Sequence, residues 1–157
     1  MKAIKGSYQY KESGLDNVYL MSGFEYTEGQ GKRRAVTIHD LNGLHKAIGR
    51  FLISERKSLA GDEIKFLRHE LGMSQNTLAR LLDVTEQTVR RWEQDKLPIP
   101  RAADAVLRKI YAETIGGNRK LTEVLHRIAD LEDVIDGAMI LGESGDKWQV
   151  IEEAEAA

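Results

Sequence analysis

The 157-residue chain has no cysteine, only 2 prolines and 6% aromatic residues, and no apolar run approaches the ~18 residues that a membrane span requires. Without cysteine there is no disulfide framework, no thiolate nucleophile and no cysteine-ligated zinc. The opening Met1-Lys2-Ala3-Ile4-Lys5-Gly6 lacks the apolar stretch of a signal peptide, so a cytoplasmic protein with no membrane partner is expected. Catalytic signatures are missing too. There is no Gly-x-Ser-x-Gly elbow and no phosphate-cradling glycine loop, since Gly29-Gln30-Gly31-Lys32 lacks the spacing of such a loop and reads as a hairpin tip. His39, His45, His69 and His126 form no local pair at the roughly three- to five-residue separation of zinc ligands, and all four read as structural or incidental. The expectation is therefore no enzyme, no metal and no cofactor.

Charge is present in quantity but nearly balanced, with a formal net charge of -2. Its distribution is uneven. Residues 1–60 hold 10 Lys and Arg against 6 Asp and Glu, residues 61–115 hold 9 against 9, and residues 116–157 hold 4 against 10. Non-specific affinity for nucleic acid grows with the number of phosphates neutralised. A chain basic in front, balanced in the middle and acidic behind thus suits recognition of one site better than coating of DNA.

The densest information lies in residues 73–93. Ser74 is a helix N-cap, followed by Leu78, Ala79 and Leu82 on one face of a 3.6-residue period, with Gln75, Asn76 and Arg80 left outside. After a tight turn Thr85 caps a second helix, in which Val89 and Trp92 point inward and Glu86, Gln87, Arg90 and Arg91 outward. Ala79 supplies the small side chain that two steeply crossing helices need at their closest approach. Trp92, at core spacing from Val89, reads as packing and not as a base-stacking ring.

Ser74-Gln75, Leu78-Ala79, Leu82-Asp83-Val84, Thr88-Val89 and Trp92-Glu93 resemble the motif of lambda repressor and Cro-like helix-turn-helix domains, the xenobiotic-response-element (XRE) class. The resemblance extends to Ile64, Leu67 and Leu71 upstream and to Pro98, Pro100, Ala105, Leu107 and Ile110 downstream. It departs at Asp83 and Asp95, where the class usually carries Gly. Both positions are expected to have a left-handed backbone, which Asp tolerates better than most residues.

The resemblance implies a double-stranded DNA operator as partner. Gln75 would hydrogen-bond near the DNA backbone, and Glu86, Gln87 and Arg91 would lie in the major groove. The side-chain chemistry fits: Gln87 can pair with adenine N6 and N7, Arg91 can fork onto guanine O6 and N7, and Glu86 can accept from cytosine N4. Thr85, Thr88 and Arg90 suit phosphates, and Lys96 just beyond the helix completes the set. For Glu86 a second reading stays open, a helix-dipole or salt-bridge role.

Residues 1–58 have a different texture. Short strand-like pieces at Tyr8–Tyr10, Val18–Met21, Phe24–Tyr26 and Ala35–Ile38, broken by glycines, predict a small antiparallel sheet. A helix at about 40–57 follows, capped by Asp40, with Leu41, Leu44, Ile48, Phe51, Leu52 and Glu55 in one stripe. This β-rich minidomain ahead of such a head resembles the MqsA/YgiT group of antitoxin-type repressors, which implies a toxin or other protein partner. That group's zinc is not carried over, because its cysteines are absent. An apolar cluster of Tyr8, Tyr10, Leu15, Val18, Leu20, Phe24 and Ile38 is expected in its place.

In the tail, Leu121, Val124, Leu125, Ile128 and Leu131 predict one amphipathic helix over 120–134, and 146–152 a last short strand before an acidic end. That helix, or the one before it, is expected to form a homodimer contact. The expected whole is α+β: a β minidomain with a helix (1–58), an all-α five-helix lambda-repressor-like domain (61–115), and a C-terminal segment (116–157) with a helix, short strand and acidic tail. Its expected function is that of a dimeric sequence-specific repressor. An antitoxin or adaptor acting through the minidomain is the alternative.

Overall fold

The computed structural model describes residues 6–29, 31, 34–118, 120, 123, 124, 127 and 139–150. Chain order gives β1 (Tyr8–Gln9), β2 (Tyr19–Leu20), β3 (Phe24–Glu28), β4 (Arg34–Ile38), α1 (Leu41–Glu55), α2 (Gly61–Glu70), α3 (Gln75–Leu81), α4 (Glu86–Glu93), α5 (Arg101–Ile115), β5 (Leu141–Ser144) and β6 (Lys147–Val150). The α+β class is as expected. The front strands form two separate antiparallel hairpins, β1–β2 and β3–β4, where one sheet was expected.

Tyr8 joins the two hairpins, because its ring lies 5.5 Å from Phe24 and 6.4 Å from Tyr26. Of the apolar cluster expected there, Tyr10 and Leu15 are buried in the main core, while Tyr8, Val18, Leu20 and Ile38 pack against it half-buried. Tyr10 also donates or accepts at His45 Nε2 (2.7 Å), and His45 Nδ1 meets Glu70 Oε1 at 2.6 Å. Thus a tyrosine of the first hairpin, a histidine of α1 and a carboxylate of α2 are tied in one chain of bonds.

Asp40 caps α1 by accepting from the Gly43 amide, in a left-handed conformation at φ 45°. The helix turns Ile48, Gly49 and Leu52 inward. Leu41 and Phe51, expected on the same buried stripe, stand about half exposed, since among the described residues no element covers that side. α1 packs on α2 and α5, so the five helices share a core although the sequence grouped α1 with the strands. Gly49 makes the contact with α5 possible: a Cβ there would come within 1.9 Å of the Tyr111 hydroxyl. The α1–α2 connection is held by α5, with Asp104 accepting from Leu59 N (2.9 Å) and Arg108 donating to Arg56 O (2.6 Å).

α2 begins at a second close approach. A Cβ on Gly61 would meet the Glu93 carbonyl at 2.4 Å, which brings the start of α2 against the end of α4. Leu67, Leu78, Val89, Trp92, Leu107 and Tyr111 close the centre, all essentially inaccessible. Burying side chains of this size is the main driving force for the head, at roughly 1.5–3 kcal/mol each.

Behind α5, Lys120, Glu123, Val124 and Arg127 are helical; the other positions of the expected 120–134 helix lie outside the described residues. The expected last strand is β6. It pairs with β5, which alternation did not reveal because Leu141-Gly142-Glu143-Ser144 has a single large apolar residue.

Candidate nucleic-acid interface

The second helix of the motif is α4, and its sequence dictates which side faces out. Thr85 caps it, its hydroxyl accepting from Thr88 N at 3.1 Å. Ser74 caps α3 in the same way from Thr77 N at 3.0 Å. Val89 and Trp92 are buried against α2 and α3, and Ala79 is buried at the α3–α4 crossing. The turn between the helices is closed by Val84 N donating to Ala79 O at 2.9 Å.

Asp83 and Asp95 both have a left-handed backbone, at φ 54° and 55°. Asp95 does more than tolerate it. Its carboxylate accepts from Gly61 N at 2.8 Å, giving an otherwise unpaired amide at the start of α2 a partner that glycine at 95 would not provide.

Six of the eight candidate DNA contacts lie on the surface: Thr85, Glu86, Gln87, Arg90, Arg91 and Lys96 are exposed. The other two are half-buried and engaged within the protein. The Gln75 side-chain amide donates to Glu93 Oε2 at 2.6 Å, and the Thr88 hydroxyl bonds that of Thr85 at 2.8 Å. Glu86 and Arg90 face each other at 3.6 Å one turn apart. A surface pair of this kind is worth little and leaves both groups available to other partners. Among the described residues no side-chain hydrogen bond or ion pair engages Gln87 or Arg91.

The network that supports these positions joins residues far apart in the chain. Arg68 Nε donates to Glu93 Oε1 at 2.5 Å and its Nη1 to Met73 O at 2.9 Å, with both charged side chains at most 9% exposed. Through Glu93 this pair also holds Gln75, so three helices are fixed at one point. The available signal was Arg68 on the stripe of Ile64, Leu67 and Leu71. A charge on an apolar face needs a partner, and Glu93 of the motif's Trp-Glu is that partner.

A separate cavity of about 500 Å³ lies beside this network, lined by Glu12, His45, Asp62, Lys65, Glu70 and Glu93 among others. Burial pushes the Asp62 carboxyl above its ordinary range, with Glu63, Asp16 and Asp95 adding smaller repulsions and a backbone hydrogen bond opposing. Among the described residues no group of three or more His, Asp or Glu side chains is arranged to hold a metal ion.

Residues 64–107 match the Helix-turn-helix family model. The matched span runs from within α2 through α3 and α4 to the middle of α5, and so takes in all eight candidate contacts. No curated protein and no solved structure matches the chain.

Proposed function

We propose that this chain, which carries the XRE-type helix-turn-helix domain of a DNA-binding transcription regulator, acts as a dimeric repressor that lays α4 in the major groove of an operator. The observation that carries this reading is the contrast along α4. Its inner side is completely packed, while Gln87 and Arg91, the side chains best suited to adenine and guanine edges, stand exposed and unengaged among the described residues. Glu86 contributes by accepting from cytosine once its pair with Arg90 opens, and Arg90 then turns to phosphate. Thr85, Thr88 and Lys96 supply further backbone contacts. Gln75 reaches the DNA backbone from a position that Glu93 has already set.

Two copies are part of the proposal, because heads about 34 Å apart meet successive major grooves on one side of the duplex. Site selection from a random duplex library, at salt high enough to suppress weak electrostatic binding, tests it. An enriched inverted repeat with half-sites one helical turn apart is expected. Absence of enrichment with folded protein refutes it.

One observation favours a second reading, in which the front of the chain acts as an antitoxin-like or adaptor module of the MqsA/YgiT type. Met21, Tyr26, Leu41 and Phe51 are large apolar side chains left roughly half exposed or more in residues 7–58. Exposed apolar side chains of this size mark an interaction site where they form one patch. In this reading the apolar cluster of Tyr8, Tyr10, Leu15, Val18, Leu20, Phe24 and Ile38 replaces the zinc site of that group.

A further inference from the structure

Two apolar faces are exposed at opposite ends of the chain. The first is a groove of about 300 Å³ between β2 and α1, walled by Val18, Leu20, Leu44, Ala47 and Phe51, with Arg56 at its end. Phe51 is 51% exposed, and the Arg56 guanidinium carbon lies 5.2 Å from its ring centre. The second is the β5–β6 hairpin. Its register sets Leu141 opposite Val150 and Glu143 opposite Trp148, which places these four side chains on one face. The intervening pairs, Gly142 with Gln149 and Ser144 with Lys147, give the other face no large apolar residue. Trp148 is 74% exposed and Val150 66%. A lone two-stranded hairpin is marginal in water and needs its apolar face covered.

We propose that the apolar face of the β5–β6 hairpin of a second copy of this chain seats in the groove between β2 and α1, and that the exchange is reciprocal. The two faces match in kind and in charge. Among the described residues, Arg56 is the one charged residue lining the groove and Glu143 the one on the paired positions of the hairpin face. Arg56 uses Nε on Glu63 at 2.8 Å, and a guanidinium has further N–H groups for a second carboxylate. Trp148 then lies along Phe51, with Leu141 and Val150 against Leu20 and Leu44. Among the described residues both faces are exposed together. In a two-fold pair each copy offers one groove and one hairpin, and both are covered in a closed arrangement. The reciprocal pair makes the contact twice.

This interface rests on the dimeric reading above only for the presence of a second copy. Because the chain has no cysteine, single thiols can be placed at will. An Ala47→Cys protein mixed with a size-tagged Val150→Cys protein, and bridged with a short bismaleimide, is expected to give the mixed covalent dimer. Gln149→Cys, on the opposite hairpin face, is expected to give at least fivefold less. Bridging confined to single molecules of the Ala47→Cys/Val150→Cys double variant would assign the groove to the chain's own hairpin and overturn the proposal. No bridging at all would leave the groove to a foreign protein and overturn it equally. By sedimentation, Trp148→Glu is expected to weaken self-association at least tenfold without altering thermal unfolding of the head; unchanged association overturns the proposal. Operator selection is read separately. Cross-linking without site selection keeps the interface and refutes the DNA reading, and selection without cross-linking does the reverse.

Discussion

The helical head and the three hairpins treat their large side chains in opposite ways. In the head, Trp92, Tyr111, Leu67, Leu78 and Leu107 are fully enclosed, and the charges that enter the core are matched as Arg68 with Glu93 and Asp104 with Arg108. In the hairpins, Met21, Tyr26, Trp148 and Val150 face outward. The head encloses its large side chains, with Tyr10 and Leu15 of the first hairpin completing the core, and leaves polar groups exposed along α4. The hairpins carry apolar side chains that the described residues leave uncovered.

Removing one charge from the head tests this difference most severely. Glu93→Ala leaves Arg68 uncompensated inside the protein, and is expected to cost about 3–5 kcal/mol in urea unfolding. Trp148→Ala, which deletes a larger side chain from a hairpin, is expected to change the stability of the head by less than about 0.5 kcal/mol. Similar losses for the two would end the distinction. Next in size is the reading face. Arg91→Ala should lose about 1–3 kcal/mol of discrimination at one base position, whereas Arg90→Ala should weaken cognate and scrambled duplexes alike. Binding titrations on both duplexes decide, and equal losses for Arg91→Ala refute its role.

Two of the three left-handed aspartates, Asp83 and Asp95, give a finer test. Asp83→Gly relieves backbone strain and is expected to stabilise by up to ~1 kcal/mol. Asp95→Gly relieves the same strain but gives up the bond to Gly61 N, so its thermal midpoint should fall below that of Asp83→Gly. Equal midpoints would show that the bond contributes nothing.

The smallest effect concerns Tyr111, whose buried hydroxyl has no hydrogen-bond partner among the described residues. Burial, with a smaller push from Glu70 and an opposing pull from Arg50, raises its pKa above the ordinary 10.0. The unfolded chain therefore releases this proton at lower pH than the fold does. The associated stability is complete below about pH 10 and is lost as pH rises through the folded value. Tyr111→Phe should be nearly neutral at pH 7 and should flatten the loss above about pH 10 in unfolding measured across that range. An unchanged slope would refute the assignment.

Much of the head is legible in the sequence because its signals are local. Ser74 and Thr85 cap as their hydroxyls dictate, Val89 and Trp92 turn inward at helical spacing, and Asp83 and Asp95 take the backbone expected where glycine is usual. What escaped are relations between distant positions. Arg68 with Glu93 and Asp95 with Gly61 join residues 25 and 34 apart, which no periodicity reports. Phe51 shows a related gap: its spacing marks an apolar face, but not whether the chain itself covers it. Strand β5 was illegible because its glycine and serine carry no apolar alternation.

The protein has two tryptophans in opposite surroundings, Trp92 at 1% and Trp148 at 74% exposure. Its emission is accordingly the sum of a shielded and a wetted indole. A soluble quencher such as iodide will darken one and spare the other, so a single cuvette reports melting of the reading head and covering of the tail as two separate optical signals, with no dye attached.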